Sequence, residues 1–303
     1  MNRPVVSEMI ASEGLKITRR SFLAATATIA AATVLTPSRL AAAPPAPELI
    51  DTNVSLGRWP FRRAPLDEPA ALVARLRELG ITDAWTGSLD ALLHKDISGV
   101  NARLAADCER HGRGLLVPIG AINPKLSGWA EDMRRCAEVH RMPGIRLHPN
   151  YHGYTLDEPV VTEVLERATR FGLLVQIPLI MEDERTIHPL VNVPPVDSLP
   201  LVPLLGRFPT LRIQLLNAFR TLRGPQLISL AAHRVRFEIA TLEGVEGIAN
   251  LLRQIPVDHL CFGSYAPVFY PESAVLKLKE SALSAGQLDV IRTGNARRLV
   301  AHS

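Results

Sequence analysis

The stretch ELIDTNVSL (residues 48–56) contains a polar pattern that predicts both a strand and a site. Asp51, Asn53 and Ser55 follow the apolar pair Leu49–Ile50 at every second position. Because side chains alternate between the two faces of a strand, the pattern predicts a strand with these three groups on one face. An amide and a hydroxyl are weak ligands for a catalytic transition metal. The stretch therefore predicts a polar site that is not an ordinary metal centre.

Seven further apolar runs rich in Ile, Leu and Val follow, separated by longer amphipathic segments such as EPAALVARLRELG. The runs are ITDAWTG, GLLVPIGAI, GIRLHP, LLVQIPLI, LRIQLLN, VRFEIA and HLCFGSY. This alternation predicts parallel β-α units, and eight of them in about 250 residues is the size of a (β/α)8 TIM barrel. An open doubly wound sheet is the alternative, but no Gly-rich phosphate turn follows the first strand. We expect one α/β barrel domain over residues 48–303, closed by a helix in LDVIRTGNARRLVAHS.

Residues 1–43 have the features of an export signal. The pair Arg19–Arg20 precedes a 14-residue apolar run, Phe22 to Leu35, and the small-residue stretch LAAAPPAP follows. The segment resembles a twin-arginine signal. Because the run is shorter than the roughly 20 residues that span a bilayer, we expect cleavage near Ala41–Ala46 rather than a stable membrane anchor. The sequence thus predicts an exported, periplasmic protein.

The charge and the cysteines exclude two other classes of protein. The formal net charge is +4, but residues 1–43 hold five basic and two acidic residues, which leaves 29 basic and 28 acidic residues in the remainder. The basicity belongs to the leader and gives no indication of nucleic-acid binding. Three cysteines without a C-x-x-C pattern predict buried free thiols rather than a disulfide framework.

Polar residues end most of the predicted strands. In a barrel of this class the chemistry lies at the carboxyl ends of the strands, so these residues are the candidate site. In chain order they are Asp51, Asn53, Ser55 and Arg58, then Arg146, His148, Asn150 and His152, then Gln176 with Glu182 and Arg185 beyond it, then Asn217, Glu238 and Thr241, and finally Ser264 and Tyr265.

Four motifs resemble the amidohydrolase-related (amidohydrolase 2) branch of the metal-dependent hydrolase superfamily: IDTNVSLG, GIRLHP, HLCFGSYAP and GNARRLV. The resemblance covers roughly the whole chain after the leader and implies a TIM barrel with hydrolase or lyase chemistry. It also implies metal ligands at positions that hold other residues here. Where the family has D-x-H-x-H, this chain has Asp51, Asn53 and Ser55; Gln176 replaces a histidine, and Tyr265 replaces an aspartate. We therefore expect the usual metal ligands to be replaced, and no cofactor.

Four residues are the candidates for catalysis: His148, Arg146, Asp51 and Glu238. His148 is the candidate acid or base, because its unperturbed pKa suits proton transfer near neutral pH. The Arg146 guanidinium could supply positive charge to an acidic substrate. A salt bridge from Arg146 to Asp51 or Glu238 inside the barrel is an equally good interpretation.

The remaining candidates are predicted to bind substrate: Asn53, Ser55, Arg58, His152, Gln176, Glu182, Arg185 and Tyr265. The loop MEDERTIHP (residues 181–189), which contains two of them, could instead hold a relocated divalent metal, although a network of paired charges is the simpler interpretation. Beside these candidates, Trp59 and Tyr151 supply aromatic rings for a pocket or for loop packing.

Two functions stay open at this point. One is an exported hydrolase or lyase that acts on a small carboxylated, lactone or amide substrate without the usual metal. The other is a catalytically inactive barrel that binds a periplasmic ligand or partner, and homo-oligomerisation is compatible with either. An open mouth lined by Arg146, His148, Gln176 and Glu238 would favour chemistry, whereas a mouth filled by Tyr265 and Trp59 would favour binding alone.

Overall fold

Parallel strands that follow the order of the chain form the framework of the structure. A computed structural model describes residues 48–300, except residues 184, 186, 189, 190 and 192. Within these residues the strands are β1 (Ile50–Leu56), β2 (Asp83–Ser88), β3 (Leu116–Pro118), β4 (Gly120–Ile122), β5 (Gly144–Leu147), β6 (Leu174–Pro178), β7 (Arg212–Leu216), β8 (Arg236–Glu238) and β9 (Leu260–Cys261). Each predicted apolar run contains a strand, and the third contains two.

Helices lie between the strands, as the alternation predicted. They are α1 (Pro69–Glu78), α2 (Ile97–Gly112), α3 (Trp129–Arg134), α4 (Pro149–His152), α5 (Pro159–Arg170), α6 (Leu201–Arg207), α7 (Gly224–Ala232), α8 (Gly247–Leu251), α9 (Pro271–Glu280), α10 (Ala285–Asp289) and α11 (Asn295–Val300). The predicted closing helix is α10 and α11, joined by a π-helical segment over Val290–Gly294.

The strands form two parallel sheets, β1-β2-β3 and β4-β5-β6-β7-β8-β9. The third run crosses from the first sheet to the second, since it contains both β3 and β4. Ile119, between these two strands, still donates its N–H to the Thr86 carbonyl of β2 at 2.8 Å. Neither sheet shows the reversal of strand order that defines a doubly wound fold.

The first strand also pairs with the segment that follows the last one. Thr52 N donates to Phe262 O at 3.0 Å, and Tyr265 N donates to Asn53 O at 2.8 Å. These bonds join the two ends of the strand series, and the arrangement is consistent with a TIM barrel.

Amphipathic helices cover the outside of the strands. In α5, Pro159 occupies the first turn, where its missing N–H costs nothing, and Val161, Val164, Leu165 and Ala168 form one buried stripe. These side chains belong to the main hydrophobic core together with Val175 and Ile177 of β6. The outer faces of the strands are therefore apolar, which leaves the inward positions for polar side chains.

The predicted signal segment, residues 1–43, lies outside the described residues, so the export signal stays a prediction. In the described part, no helix is both long and apolar enough to cross a membrane. Cys108, Cys136 and Cys261 are free and buried, and burial raises the pKa of each thiol to about 12.

Candidate functional site

A chain of hydrogen-bonded side chains crosses the interior of the barrel. Arg146 of β5 donates to the side-chain oxygen of Gln176 from Nε (3.0 Å) and Nη2 (2.8 Å), and its Nη1 donates to Ser55 Oγ at 3.1 Å. Gln176 Nε2 donates to Gln214 Oε1 at 2.8 Å, and Gln214 Nε2 donates to Thr52 Oγ1 at 2.7 Å. Because these groups come from four strands and bond to one another, they lie inside the ring.

Two carboxylates lie in the same interior. Asp51 Oδ1 accepts the backbone N–H groups of Asn53 and Ser264, each at 3.0 Å. Glu238 Oε1 accepts the Asn217 N–H at 2.6 Å and the Asn53 side-chain amide at 3.2 Å. The carboxylates are thus held mainly by main-chain and amide donors.

Burial shifts the pKa values of the charged groups toward their neutral forms. It raises the pKa of Asp51 to about 7 and raises that of Glu238, because the charged forms lose their hydration. It lowers the pKa of Arg146 to about 10, against the attraction of Tyr265, Glu238 and Asp51. Among the described residues no ion pair joins Arg146 to a carboxylate, so the predicted alternative of an interior salt bridge is not the observed arrangement.

An apolar layer closes the interior on the carboxyl side of the strands. The Tyr265 hydroxyl donates to the Met181 carbonyl at 2.5 Å, and only 1% of Tyr265 and 2% of Trp59 is exposed. Leu89, Leu92 and Val268 pack with them in one cluster. Arg146, Gln176, Asp51 and Glu238 are therefore out of contact with solvent, as expected for a mouth filled by Tyr265 and Trp59.

A cavity of about 340 Å³ lies beside this layer, among the segments that follow β5, β6, β7 and β8. We call it the first cavity. Its lining includes His148, Tyr151, Glu182, Arg220 and Arg223. Of the four predicted catalytic residues, only His148 reaches it. The sequence did not predict that the cavity would be lined by His148 and not by Arg146, Asp51 or Glu238.

His148 is a neutral imidazole in this setting. Burial lowers its pKa well below 6.5, and the charges of His152 and Arg146 add to the effect. Its Nδ1 atom is buried without a hydrogen-bond partner among the described residues. His152, whose ring lies 5.7 Å from that of His148, bonds the Ala91 carbonyl through Nε2 at 2.9 Å, so this nitrogen carries the proton.

The other predicted binding residues lie apart from the central network. Arg58 pairs with Glu68 at 3.0 Å on the surface and does not line the first cavity. Glu182 pairs with Arg62 at 3.2 Å, and Arg185 pairs with Asp183 at 2.6 Å. The loop beyond β6 is thus a network of paired charges in its described part, and Glu184 lies outside that part.

Sequence reasoning missed two members of the interior network, Thr52 and Gln214. Gln214 pairs in register with Gln176 across β6 and β7. Its signal was present, because a glutamine in the middle of the apolar run LRIQLLN is as unusual as the one in LLVQIPLI. Thr52 gave no such signal.

The fold and site define a parallel α/β barrel with a closed polar interior, a class that includes the metal-dependent hydrolases. The chain matches the family described as Amidohydrolase over residues 50–301, and it therefore belongs to the amidohydrolase family. This confirms the family resemblance, while the replacement of metal ligands stays a prediction. No curated protein matches the chain significantly.

Solved structures of decarboxylases share the fold. The 2,6-dihydroxybenzoate decarboxylase from Rhizobium is 12% identical, with a TM-score of 0.65 over 84% of this chain and 98% of that one. The dihydroxybenzoic acid decarboxylase from Polaromonas, with bound manganese and 2-nitroresorcinol, is 14% identical, with a TM-score of 0.66 over 84% and 97%. The 5-carboxyvanillate decarboxylase from Novosphingobium aromaticivorans, also with manganese, is 13% identical, with a TM-score of 0.66 over 83% and 96%.

The manganese in these structures corrects one prediction. The expectation that this chain uses no cofactor is wrong by this comparison, because two neighbours of the same fold hold a metal and so indicate a metal cofactor. The donors of the barrel interior nevertheless do not fit such an ion. In the described part of the chain, no three His, Cys, Asp or Glu side chains are placed to hold a metal. The interior carboxylates accept N–H donors instead, and the Arg146 guanidinium shares their space and would repel a divalent cation.

Proposed function

We propose that this amidohydrolase-family protein is an exported hydrolase or lyase that acts on a small carboxylated molecule in the first cavity. The observation that carries the proposal is His148, a buried neutral imidazole on the wall of a cavity at the carboxyl ends of the strands. That end of a barrel is where the loops assemble active sites. The neighbours named above as decarboxylases of aromatic carboxylates support the class of substrate.

Arg223 is the group suited to hold the substrate carboxylate. It lines the first cavity, is exposed, and takes part in no ion pair that involves the described residues. Arg220 on the same wall is already paired with Asp183 at 3.0 Å and Glu243 at 2.9 Å. A guanidinium can bind a carboxylate through two parallel N–H donors, which fixes both the position and the orientation of the substrate.

His148 then transfers the proton. A neutral imidazole accepts a proton from water or substrate and returns it to the leaving group or to the product carbon. Pro149, the next residue, begins α4, so the backbone of His148 is held between the end of β5 and the start of this helix. The interior network contributes by holding β5 and β6 in register rather than by touching substrate.

Export through the twin-arginine route is part of the proposal. The paired arginines at positions 19 and 20 and the apolar run support it, and Arg19→Lys with Arg20→Lys is expected to keep the protein in the cytoplasm. Fractionation of cells that express the two forms measures this. Equal export of both forms would contradict it.

A second candidate function is binding of a periplasmic ligand without turnover. The closed apolar layer around Tyr265 and Trp59 favours it, because that layer separates Arg146, Asp51 and Glu238 from any ligand in the cavity. In this case the barrel retains the family fold and lacks its reaction.

One experiment separates the two candidates. The purified chain is incubated with aromatic carboxylates, lactones and amides, with and without MnCl2, and both CO2 release and hydrolysis are followed. For the enzyme we expect His148→Gln to lower kcat by about 100-fold or more, and Arg223→Gln to raise KM with kcat largely kept. The matched control Arg253→Gln changes an exposed arginine outside the cavity. Turnover that is absent in all arms overturns the enzyme in favour of the binding protein. Turnover that is insensitive to His148→Gln overturns the role of His148 on which the proposed enzyme rests.

A further inference from the structure

A second cavity, of about 640 Å³, opens at the same end of the barrel and has a different lining. It lies among the segments that follow β1, β6, β7, β8 and β9. Its charged lining consists of five cations and two carboxylates: Arg62, Arg63, Arg185, Arg220 and Lys277 with Asp183 and Glu243. The apolar part of the lining includes Val268, Phe269 and Tyr270.

The two carboxylates of this second cavity are shared between the same two arginines. Asp183 pairs with Arg185 at 2.6 Å and with Arg220 at 3.0 Å, and Glu243 pairs with them at 3.1 and 2.9 Å. Their negative charge is therefore neutralised within this group of four. The remaining cations of the lining are Arg62, Arg63 and Lys277.

Two of the remaining cations have carboxylate partners outside the cavity lining. Arg62 pairs with Glu182 at 3.2 Å, and Arg63 pairs with Asp67 at 2.6 Å. Lys277 differs from both. Its Nζ donates to the carbonyls of Ile239 (3.0 Å) and Ala240 (2.5 Å), and no carboxylate of the described part lies within ion-pair distance of it.

Lys277 is thus a half-buried cation with one hydrogen-bond donor that is not used. An ammonium group has three N–H donors, and the two carbonyls take two of them. Burial lowers the pKa of Lys277, although the attraction of Glu238 and Glu243 opposes the shift. An anion beside the ammonium would stabilise its charged form and accept the third N–H.

We propose that the second cavity binds an organic oxyanion, a carboxylate or phosphate ester carried on an apolar body. The Lys277 ammonium receives the oxyanion, and Val268 and Phe269 contact the apolar body. The site is separate from the first cavity, with which it shares only the Arg220–Glu243 pair in its wall. It does not depend on the function proposed for His148.

Calorimetric titration of the full-length chain with phenyl phosphate, and separately with benzoate, tests the site. We expect one of these probes to bind with a component that Lys277→Met weakens by about tenfold or more. Lys279→Met, an exposed lysine on the same helix, is the matched control and is expected to bind like the unaltered chain. Ser273→Glu places a negative charge on the exposed edge of the cavity and is expected to weaken binding as well.

Ser273→Glu keeps the test decisive if Lys277→Met does not fold, because Ser273 is exposed. Arg223→Gln, which alters only the first cavity, is expected to leave the Lys277-dependent component unchanged. The proposal is overturned if neither probe binds, if Lys277→Met and Ser273→Glu bind as tightly as the controls, or if Arg223→Gln removes all binding. In the last case the probe occupies the first cavity.

Discussion

The guanidinium of Arg146 and the side-chain oxygen of Gln176 are joined by two hydrogen bonds, at 3.0 and 2.8 Å, between neighbouring strands inside the barrel. Both residues are almost completely buried, at 2% and 0% exposure. Gln176 therefore provides the main solvation of a buried cation that has no carboxylate bonded to it in the described structure. The Arg146–Gln176 pair is therefore part of a structural network inside the barrel, in which the buried polar side chains are hydrogen-bonded to one another.

Replacement of Gln176 should be costly for that reason. Gln176→Leu removes the acceptor of two Arg146 N–H groups and the donors to Thr52 O and Gln214 Oε1. We expect a loss of about 2–4 kcal/mol in the free energy of unfolding, because a buried charge is left poorly paired. Urea denaturation followed by circular dichroism measures it. The control Gln254→Leu, at an exposed position, should change stability by less than about 0.5 kcal/mol.

Gly87 is a second determinant of the Arg146 position. A Cβ atom at Gly87 would lie 2.6 Å from Arg146 Nη1, and the guanidinium cannot move away without losing Ser55 and Val54 O. We expect Gly87→Ala to destabilise the protein by about 1–3 kcal/mol through overcrowding.

Gly286→Ala is the matched control for this change. Apart from its chain neighbours and the backbone of its own helix, no atom lies within 4 Å of a Cβ built at Gly286, and helix α10 favours alanine over glycine. This variant should be neutral or slightly stabilised. Equal thermal unfolding of Gly87→Ala and the unaltered chain would show that Arg146 is not held as described.

The buried carboxyl group of Asp51 should make the stability of the folded protein depend on pH. Its pKa rises from 3.8 to about 7 on folding because the carboxyl group is buried. Between these two pH values the folded state binds more protons than the unfolded state, so the contribution of Asp51 to stability is fully present below pH 3.8 and falls as the pH rises to about 7. Asp51→Asn removes this contribution.

The measurement is the difference in unfolding free energy between the unaltered chain and Asp51→Asn, from pH 4 to pH 8. We expect the unfolding free energy of the unaltered chain, relative to that of Asp51→Asn, to fall steadily as the pH rises to about 7 and to stay constant above it. A difference that is independent of pH would mean that the carboxyl group is not desolvated in the folded protein. Comparing the two proteins cancels the contributions of groups that do not interact with Asp51. Glu238, whose charge raises the pKa of Asp51, stays coupled to it and contributes to the difference.

Tyr265 should control access to the interior. Tyr265→Phe removes the bond to the Met181 carbonyl and keeps the ring, so we expect a loss of about 1 kcal/mol with the layer still closed. Tyr265→Ala removes the ring beside Trp59, which belongs to the same cluster. Acrylamide should then quench tryptophan fluorescence more strongly in Tyr265→Ala than in Tyr265→Phe. Equal quenching would argue that other side chains close the mouth, and Trp59→Phe in each background assigns the signal to Trp59.

Much of the fold could be predicted because it depends on local patterns. Periods of two and of 3.6 residues are set by neighbouring side chains, so the strands and most of the helices follow from the order of apolar residues. All seven residues of β1 are buried, but a register irregularity between Asp51 and Val54 interrupts the alternation from which a single face for Asp51, Asn53 and Ser55 was predicted. The division of the third run into β3 and β4 was not predicted, since it depends on the pairing of β3 with β2 and of β4 with β5.

The sequence by itself determined that this chain is an amidohydrolase-family α/β barrel with polar groups at its strand ends. Only the tertiary structure decided which of those groups can meet a ligand. Arg146 finds Gln176 and Ser55 at separations of 30 and 91 residues, and ring closure brings Tyr265 over them. Such contacts depend on packing between distant segments, which local periodicity does not encode, and for that reason His148 meets the first cavity while Arg146, Asp51 and Glu238 stay enclosed.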